Sequence, residues 1–330
     1  MKANAMNALP TLSDIEAAAT IVYGAMPPTP QFSWPLLNEA LGTETWVKHE
    51  NHTPIGAFKV RGGLVHLHRL AAQRPRLPGL VLATRGNHGQ SIAHAARRHG
   101  LPVTIVVPHG NSVDKNNAMR ALGATLIEHG ADVQDAREHA VALAERIGLH
   151  MVQSYLPDLV AGVATGWMEL LRARPALDTL FVPMGIGTSF SGAIAARQAL
   201  GHAVRIVGVV SAAAPAYLLS WQARRPVEAP VGPTIADGLA CRVPEPAVVS
   251  LLLDHAEDVV AVSDAEIRAA MRLTFHATHN LAEGAGAAAL AAALQWKNDR
   301  RVRGREIGLA LSGGNVDAPV FRGVLAEPAP

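Results

Sequence analysis

The chain of 330 residues has a single cysteine, Cys241. That excludes an internal disulfide and any metal site built from several thiolates, and it suits a reducing cytoplasm. A strong charge of either sign is also missing. The formal net charge is +2, and the arginine excess is scattered through helical stretches. Without a basic arm or stripe, nucleic acid is not an expected partner. Long apolar runs are absent too. The longest, Ala285 to Leu294, is too short to span a bilayer and reads as a buried alanine-rich helix. Pro10, Asp14 and Glu16 interrupt the stretch a signal peptide would need. The expectation is a soluble cytoplasmic protein with no membrane partner. Lysine is scarce beside arginine, so a lysine in an unusual setting is informative.

What is present is a regular alternation. Leu80 to Ala83, Val103 to Val107, Ala124 to Ile127 and His150 to Val152 read as buried strands, with helical stretches near 90–99, 112–122 and 132–147 between them. Thr179 to Val182, Val204 to Val209, Val259 to Val262 and Ile307 to Leu311 continue the pattern. Strands alternating with helices predict parallel sheets covered on both faces. Trp46 to His49 reads as a further strand, with a turn at Thr53-Pro54 leading into a helix around Lys59. Ser13-Asp14-Ile15-Glu16 predicts a capping box opening a helix that Pro27 and Pro28 close, and Ser263-Asp264-Ala265-Glu266 predicts another. The proline-rich stretch 224–233 lacks periodicity and reads as a surface loop. No repeat occurs at solenoid periods. The predicted architecture is two parallel α/β units with a ligand cleft between them.

Four segments carry the chemistry. In Gly56-Ala57-Phe58-Lys59-Val60-Arg61-Gly62, a lysine sits beside an aromatic ring and among small residues. Shielded from water, its pKa falls and it becomes a nucleophile able to form a Schiff base. Taken alone, the segment equally fits a surface lysine starting an ordinary helix. Thr84-Arg85-Gly86-Asn87-His88-Gly89-Gln90 follows a strand and opens a helix, where free backbone amides bind anions; a plain helix cap fits as well. Val182-Pro183-Met184-Gly185-Ile186-Gly187-Thr188-Ser189 is again strand, glycine loop and helix, and can cradle a phosphate with hydroxyls from Thr188 and Ser189. A dinucleotide fold would want an acid ending the next strand, which instead ends at Ser211. Leu311-Ser312-Gly313-Gly314-Asn315 ends the last strand and points a hydroxyl into the same cleft, unless it is only a glycine turn.

The order of these segments resembles one family. Phe-Lys-x-Arg-Gly, Gly-Asn-His, a glycine phosphate loop and Ser-Gly-Gly-Asn, with Thr234 to Gly238 and the helix after Glu283, look like a fold-type II pyridoxal-phosphate enzyme of the serine/threonine dehydratase and serine racemase group. The resemblance covers nearly the whole chain. It implies a tryptophan synthase β-subunit-like fold of two three-layer αβα domains. The large cofactor-binding domain would comprise 1–79 and 158–330, with a small substrate-gripping domain at 80–157, no C-terminal regulatory domain, and a homodimeric assembly. It also implies that Lys59 holds pyridoxal 5'-phosphate as a Schiff base, that Phe58 packs beside the ring, and that Gly238 lines the opposite face. Asn87 would bond the phenolic oxygen, Gly185, Ile186, Gly187, Thr188 and Ser189 would hold the phosphate, and Ser312 would meet the ring nitrogen. Thr84, Arg85, Gly86, Asn87 and His88 would grip the substrate carboxylate. The implied reaction is α,β-elimination from a β-hydroxy amino acid, giving a 2-oxo acid and ammonia.

Two positions depart from the pattern. Racemising relatives carry a serine where this chain has Arg85, and a guanidinium does not serve as a base. Arg85 could instead bind a carboxylate, including the second one of a hydroxyaspartate-like substrate, or turn to solvent. Relatives with a divalent cation carry an acidic pair where this chain has Ser211 and Tyr217, so no such metal site is expected. His276 with His279, and His66 with His68, lack a third ligand. Ala212 to Ala214 and Tyr217 would leave room for a substituent as large as that of phenylserine. A racemase, a β-replacement synthase and a non-catalytic amino-acid-binding protein are the alternatives; retention of Lys59 speaks against the last.

Overall fold

The computed structural model describes residues 9–328. In chain order its strands are β1 (Gln31–Ser33), β2 (Glu44–His49), β3 (Leu80–Ala83), β4 (Val103–Val107) and β5 (Thr125–Glu128). They continue with β6 (His150–Met151), β7 (Leu177–Pro183), β8 (Arg205–Ser211), β9 (Ala256–Val262) and β10 (Glu306–Leu311). One sheet has the order β1-β2-β10-β7-β8-β9 and the other β5-β4-β3-β6. All pairings are parallel except that of β1 with β2. The mixed α/β class with parallel sheets is therefore as the alternation predicted. The short β1 and its antiparallel pairing were not legible, since three residues show no period.

Period-two side-chain direction divides each sheet between two cores. Phe181, Val207, Val209, Ile307 and Leu309 pack on one face of the larger sheet, and Leu180, Val182, Ile206, Val210 and Ala310 on the other. In the smaller sheet Leu80, Leu82, Ile105 and Val107 face one cluster, while Val81, Ala83 and Val106 face the second. Helices cover both faces, which is why these strands read as continuous apolar runs.

The first helix spans Leu12–Tyr23, and its capping box is Thr11 with Asp14 rather than Ser13 with Glu16. The Asp14 carboxylate accepts from Thr11 N–H at 2.9 Å, and Thr11 Oγ1 accepts from Asp14 N–H at 3.3 Å. The helix stops at Gly24, before the proline pair. The second predicted box, Ser263 with Glu266, is present and opens the helix Asp264–Thr278.

A buried ionic cluster anchors the helix Lys59–Gln73 to the helix Pro157–Ala173. Arg61 donates to Glu50 at 2.8 and 2.9 Å and to Glu169 at 2.7 and 3.0 Å. Lys48 Nζ donates to Glu169 at 2.6 Å. Two cations thus balance two carboxylates in the interior, as burial of charge demands.

Candidate active site

Lys59 is the first residue of its helix, and the chain entering it is locked to the end of β10. Ala57 pairs with Gly313 in an isolated antiparallel bridge, and Phe58 N–H donates to the Ser312 carbonyl at 3.0 Å. Ser91 Oγ donates to the Lys59 carbonyl at 2.6 Å. The amine lies 4.7 Å from the centre of the Phe58 ring and has no hydrogen-bond acceptor among the described residues. Burial lowers its pKa to about 8, with Glu283 opposing the shift. A sheltered amine with a lowered pKa is partly neutral near neutrality, the state a nucleophile needs.

Two positions of the loop between β7 and the helix Thr188–Leu200, Gly185 and Gly187, have no room for a side chain. A Cβ on Gly185 would lie 2.2 Å from the Gly238 carbonyl oxygen. Gly187 has φ +103°, and a Cβ there would meet Val248 at 2.5 Å. Trp167 Nε1 donates to the Ser189 carbonyl at 2.9 Å, and Thr188 Oγ1 to the Ser154 carbonyl at 3.4 Å. Helix N-terminus, glycine backbone and buried hydroxyls are donors of the kind that can receive an anion. Gly238 is exposed in the short turn Asp237–Leu239, packed near Ala285. Ser312 is buried, with its hydroxyl 3.3 Å from the Ala285 carbonyl.

Of the 84–88 loop, Thr84 Oγ1 accepts from its own loop's Gly86 N–H at 3.1 Å. Arg85 is half-buried, and its guanidinium has no carboxylate partner among the described residues. Asn87 donates to Glu283 Oε1 at 2.6 Å and accepts from Asn315 Nδ2 at 2.8 Å. His88 turns inward. Burial, then Lys59 and His66, bring its pKa down to about 3, so the ring is neutral.

Sequence reasoning missed the charged centre of this cleft. Lys115 Nζ donates to Asp237 at 2.8 and 3.1 Å and stands 3.3 Å from Glu283 Oε2. Burial raises the Glu283 carboxyl above its ordinary range, with Lys115 pulling the other way. Two signals were available: a lysine in a lysine-poor chain, and an acid opening an otherwise apolar helix. Lys115 belongs to the helix Val113–Ala121 beside the smaller sheet, so these contacts tie that helix to Asp237 and to Glu283 at the start of the helix Gly284–Gln295, which packs on the larger sheet.

The divergent positions are also resolved in space. Ser211 Oγ lies 3.2 Å from Thr234 Oγ1 and accepts from Ala213 N–H at 3.2 Å. Tyr217, expected beside a roomy substrate pocket, is instead 1% exposed, with its hydroxyl on the Ile186 carbonyl. The glycine stretch thus gains a buttress from Tyr217. His66 faces Asp158, His68 packs near His99, and His279 ends its helix.

A cofactor that carries a phosphate, an electrophilic aldehyde and an aromatic nitrogen fits this donor set: cradle, free amine and buried serine hydroxyl. Comparison with known proteins agrees. Residues 22–313 match the profile of the pyridoxal-phosphate dependent enzymes. An L-threonine ammonia-lyase of Thermotoga maritima is 32% identical over 93% of this chain and 76% of its own length. An L-threo-3-hydroxyaspartate ammonia-lyase of a Pseudomonas species is 33% identical over 96% of this chain and 99% of its own. The processed form of threonine deaminase isoform 2 from Solanum lycopersicum superposes with a TM-score of 0.89 at 26% identity, over 98% of this chain and 97% of that one. The chain belongs to the family of pyridoxal-phosphate-dependent enzymes.

Proposed function

We propose that the chain is an ammonia-lyase that converts a β-hydroxy-L-amino acid of the serine and threonine type to a 2-oxo acid and ammonia. The observation that carries this reading is the Lys59 amine, sheltered beside Phe58 and without an acceptor among the described residues; Gly185, Ile186, Gly187, Thr188 and Ser189 are read as the anion cradle that serves it. Both ammonia-lyase relatives support it. When bound, pyridoxal phosphate supplies an electron sink that acidifies the substrate Cα–H bond. Lys59 would hold the cofactor, and its amine would accept the Cα proton. The β-hydroxyl leaves as water, and the released enamine tautomerises and takes up water to give the 2-oxo acid and ammonia.

The remaining residues orient and exclude. Asn87, held by Glu283 and Asn315, would offer its amide to the ring oxygen. Ser312 would serve the ring nitrogen without imposing a charge there, which would favour elimination over transamination. Phe58 and Gly238 would bound the ring's faces, and the amides of Thr84 to His88 would receive the substrate carboxylate. Segment 80–157 acts as the small domain that closes over substrate, with 1–79 and 158–330 as the large one. A cytoplasmic homodimer belongs to the same proposal, and light scattering on the eluting protein tests its size.

One observation favours a second substrate class. The Arg85 guanidinium, half-buried without a carboxylate partner among the described residues, suits a substrate with a second carboxylate, as in the Pseudomonas relative's hydroxyaspartate. The deciding experiment is a visible spectrum of the purified protein with serine, threonine, phenylserine and hydroxyaspartate added separately, with 2-oxo acid and ammonia assayed. A cofactor band that one substrate perturbs and Lys59→Ala abolishes is expected. A protein that stays colourless after pyridoxal phosphate is supplied refutes the proposal.

A further inference from the structure

Tyr217 is one of the largest fully buried side chains and lies on the short helix Ala216–Ala223. Its hydroxyl donates to the Ile186 carbonyl at 2.8 Å and accepts from the Glu245 backbone N–H at 3.0 Å. Ile186 stands between Gly185 and Gly187, in the middle of the anion-cradle loop. Glu245 caps the helix Pro246–His255, and Val248 of that helix lies under Gly187. A single hydroxyl therefore ties the loop to the helix that supports it.

The consequence follows from peptide geometry. In a trans peptide the carbonyl and the N–H of the same plane point in opposite directions. With the Ile186 carbonyl fixed on Tyr217, the N–H of Gly187 points away from Tyr217. That N–H has no backbone acceptor among the described residues. Gly187, at φ +103° on one side of this plane, gives the backbone freedom that a side chain would remove, so a contact from outside the loop is what fixes the plane. Burial raises the Tyr217 pKa well above its ordinary value, so the hydroxyl keeps its proton and remains a donor.

We propose that Tyr217 is a positioning residue for the cofactor phosphate: its hydroxyl pins the Ile186–Gly187 peptide so that the Gly187 N–H stands ready for the anion. This rests on the reading of 185–189 as the phosphate cradle. Pre-set donors bind more tightly than donors that must first be ordered.

The test uses the full chain stripped of cofactor and titrated with pyridoxal phosphate, or with pyridoxal, which can reach Lys59 but carries no phosphate. Wild type, Tyr217→Phe and Ser189→Ala are compared by the visible band formed. Tyr217→Phe keeps the ring and removes one oxygen, and is expected to weaken pyridoxal phosphate capture about five- to tenfold, the worth of one hydrogen bond, while pyridoxal capture stays at the wild-type level. If Tyr217→Phe matches wild type while Ser189→Ala is weakened, the role of Tyr217 falls and the cradle reading stands. If both variants match wild type, the cradle reading falls and takes this proposal with it. If Tyr217→Phe loses both ligands alike, the hydroxyl serves the fold in general and the proposal is overturned.

Discussion

Arg61 gives the sharpest test of how the helix that begins at Lys59 is held. Its guanidinium is 0% exposed and donates to Glu50, Glu169, Thr165 and Thr29. Arg61→Met keeps most of the bulk and removes the charge, leaving two buried carboxylates to share Lys48. Removing one partner of a buried pair costs about 3–5 kcal/mol, because an uncompensated charge stays in the interior. Adding Glu50→Gln removes the surplus charge, so the double variant should be more stable than Arg61→Met alone despite carrying one more substitution. Acidification adds a signed check. Burial would raise the Glu50 carboxyl, but Arg61 and the hydrogen bonds outweigh it and hold it below its ordinary 4.5. A carboxyl depressed in the fold contributes stability that is present above the unfolded pKa and lost as pH falls through the folded one. Without Arg61 burial dominates and the folded pKa rises, so the deficit of Arg61→Met should shrink as pH drops towards 5. Urea unfolding followed by far-ultraviolet circular dichroism reads all three effects. A cost under about 1 kcal/mol, the range of an exposed pair, or a Glu50→Gln change that deepens the defect, would refute the reasoning.

Three further outcomes are expected. The rate at which cofactor-free protein captures pyridoxal phosphate should rise with pH and level off above about 8, where Lys59 has lost its proton; a rise continuing towards the ordinary lysine value of 10.5 would mean the amine is not sheltered. Gly185→Ala places a methyl 2.2 Å from the Gly238 carbonyl, so one of the two loops must move. The expected cost is about 1–3 kcal/mol, read as faster loss of cofactor on gel filtration. Lys115→Met strands the carboxylates of Asp237 and Glu283 and should lower the urea midpoint clearly more than Lys115→Arg does; equal losses would show that packing rather than charge holds the contact.

Legibility in the sequence followed chain distance. β3 and β4 coincide with their expected residues because short apolar runs ended by turns leave little freedom in register. The first cap was misplaced because Thr11 with Asp14 and Ser13 with Glu16 share one spacing, and burial of Ile15, Ala18 and Val22 decides between them. Lys59, the two glycine loops and Ser312 stood out because loop chemistry after a strand is local. Glu283 did not, since its partner Asn87 is 196 residues away and only the chain path brings them together. Tyr217 was read as a pocket residue because sequence alone does not say which way a helix turns its aromatic face.

The strand order carries a consequence for biosynthesis. β10 lies between β2 and β7, yet both neighbours leave the ribosome long before it. Until β10 is made, β2 pairs only with the three-residue β1, and β7 has a bare side; both offer unpaired backbone groups to any other chain nearby. The stretch that inserts last also ends in Ser312, whose carbonyl receives the Phe58 amide beside Lys59. Closing the sheet and fixing the chain that leads into Lys59 are therefore one event, and a growing polypeptide achieves both only after β10 has been made.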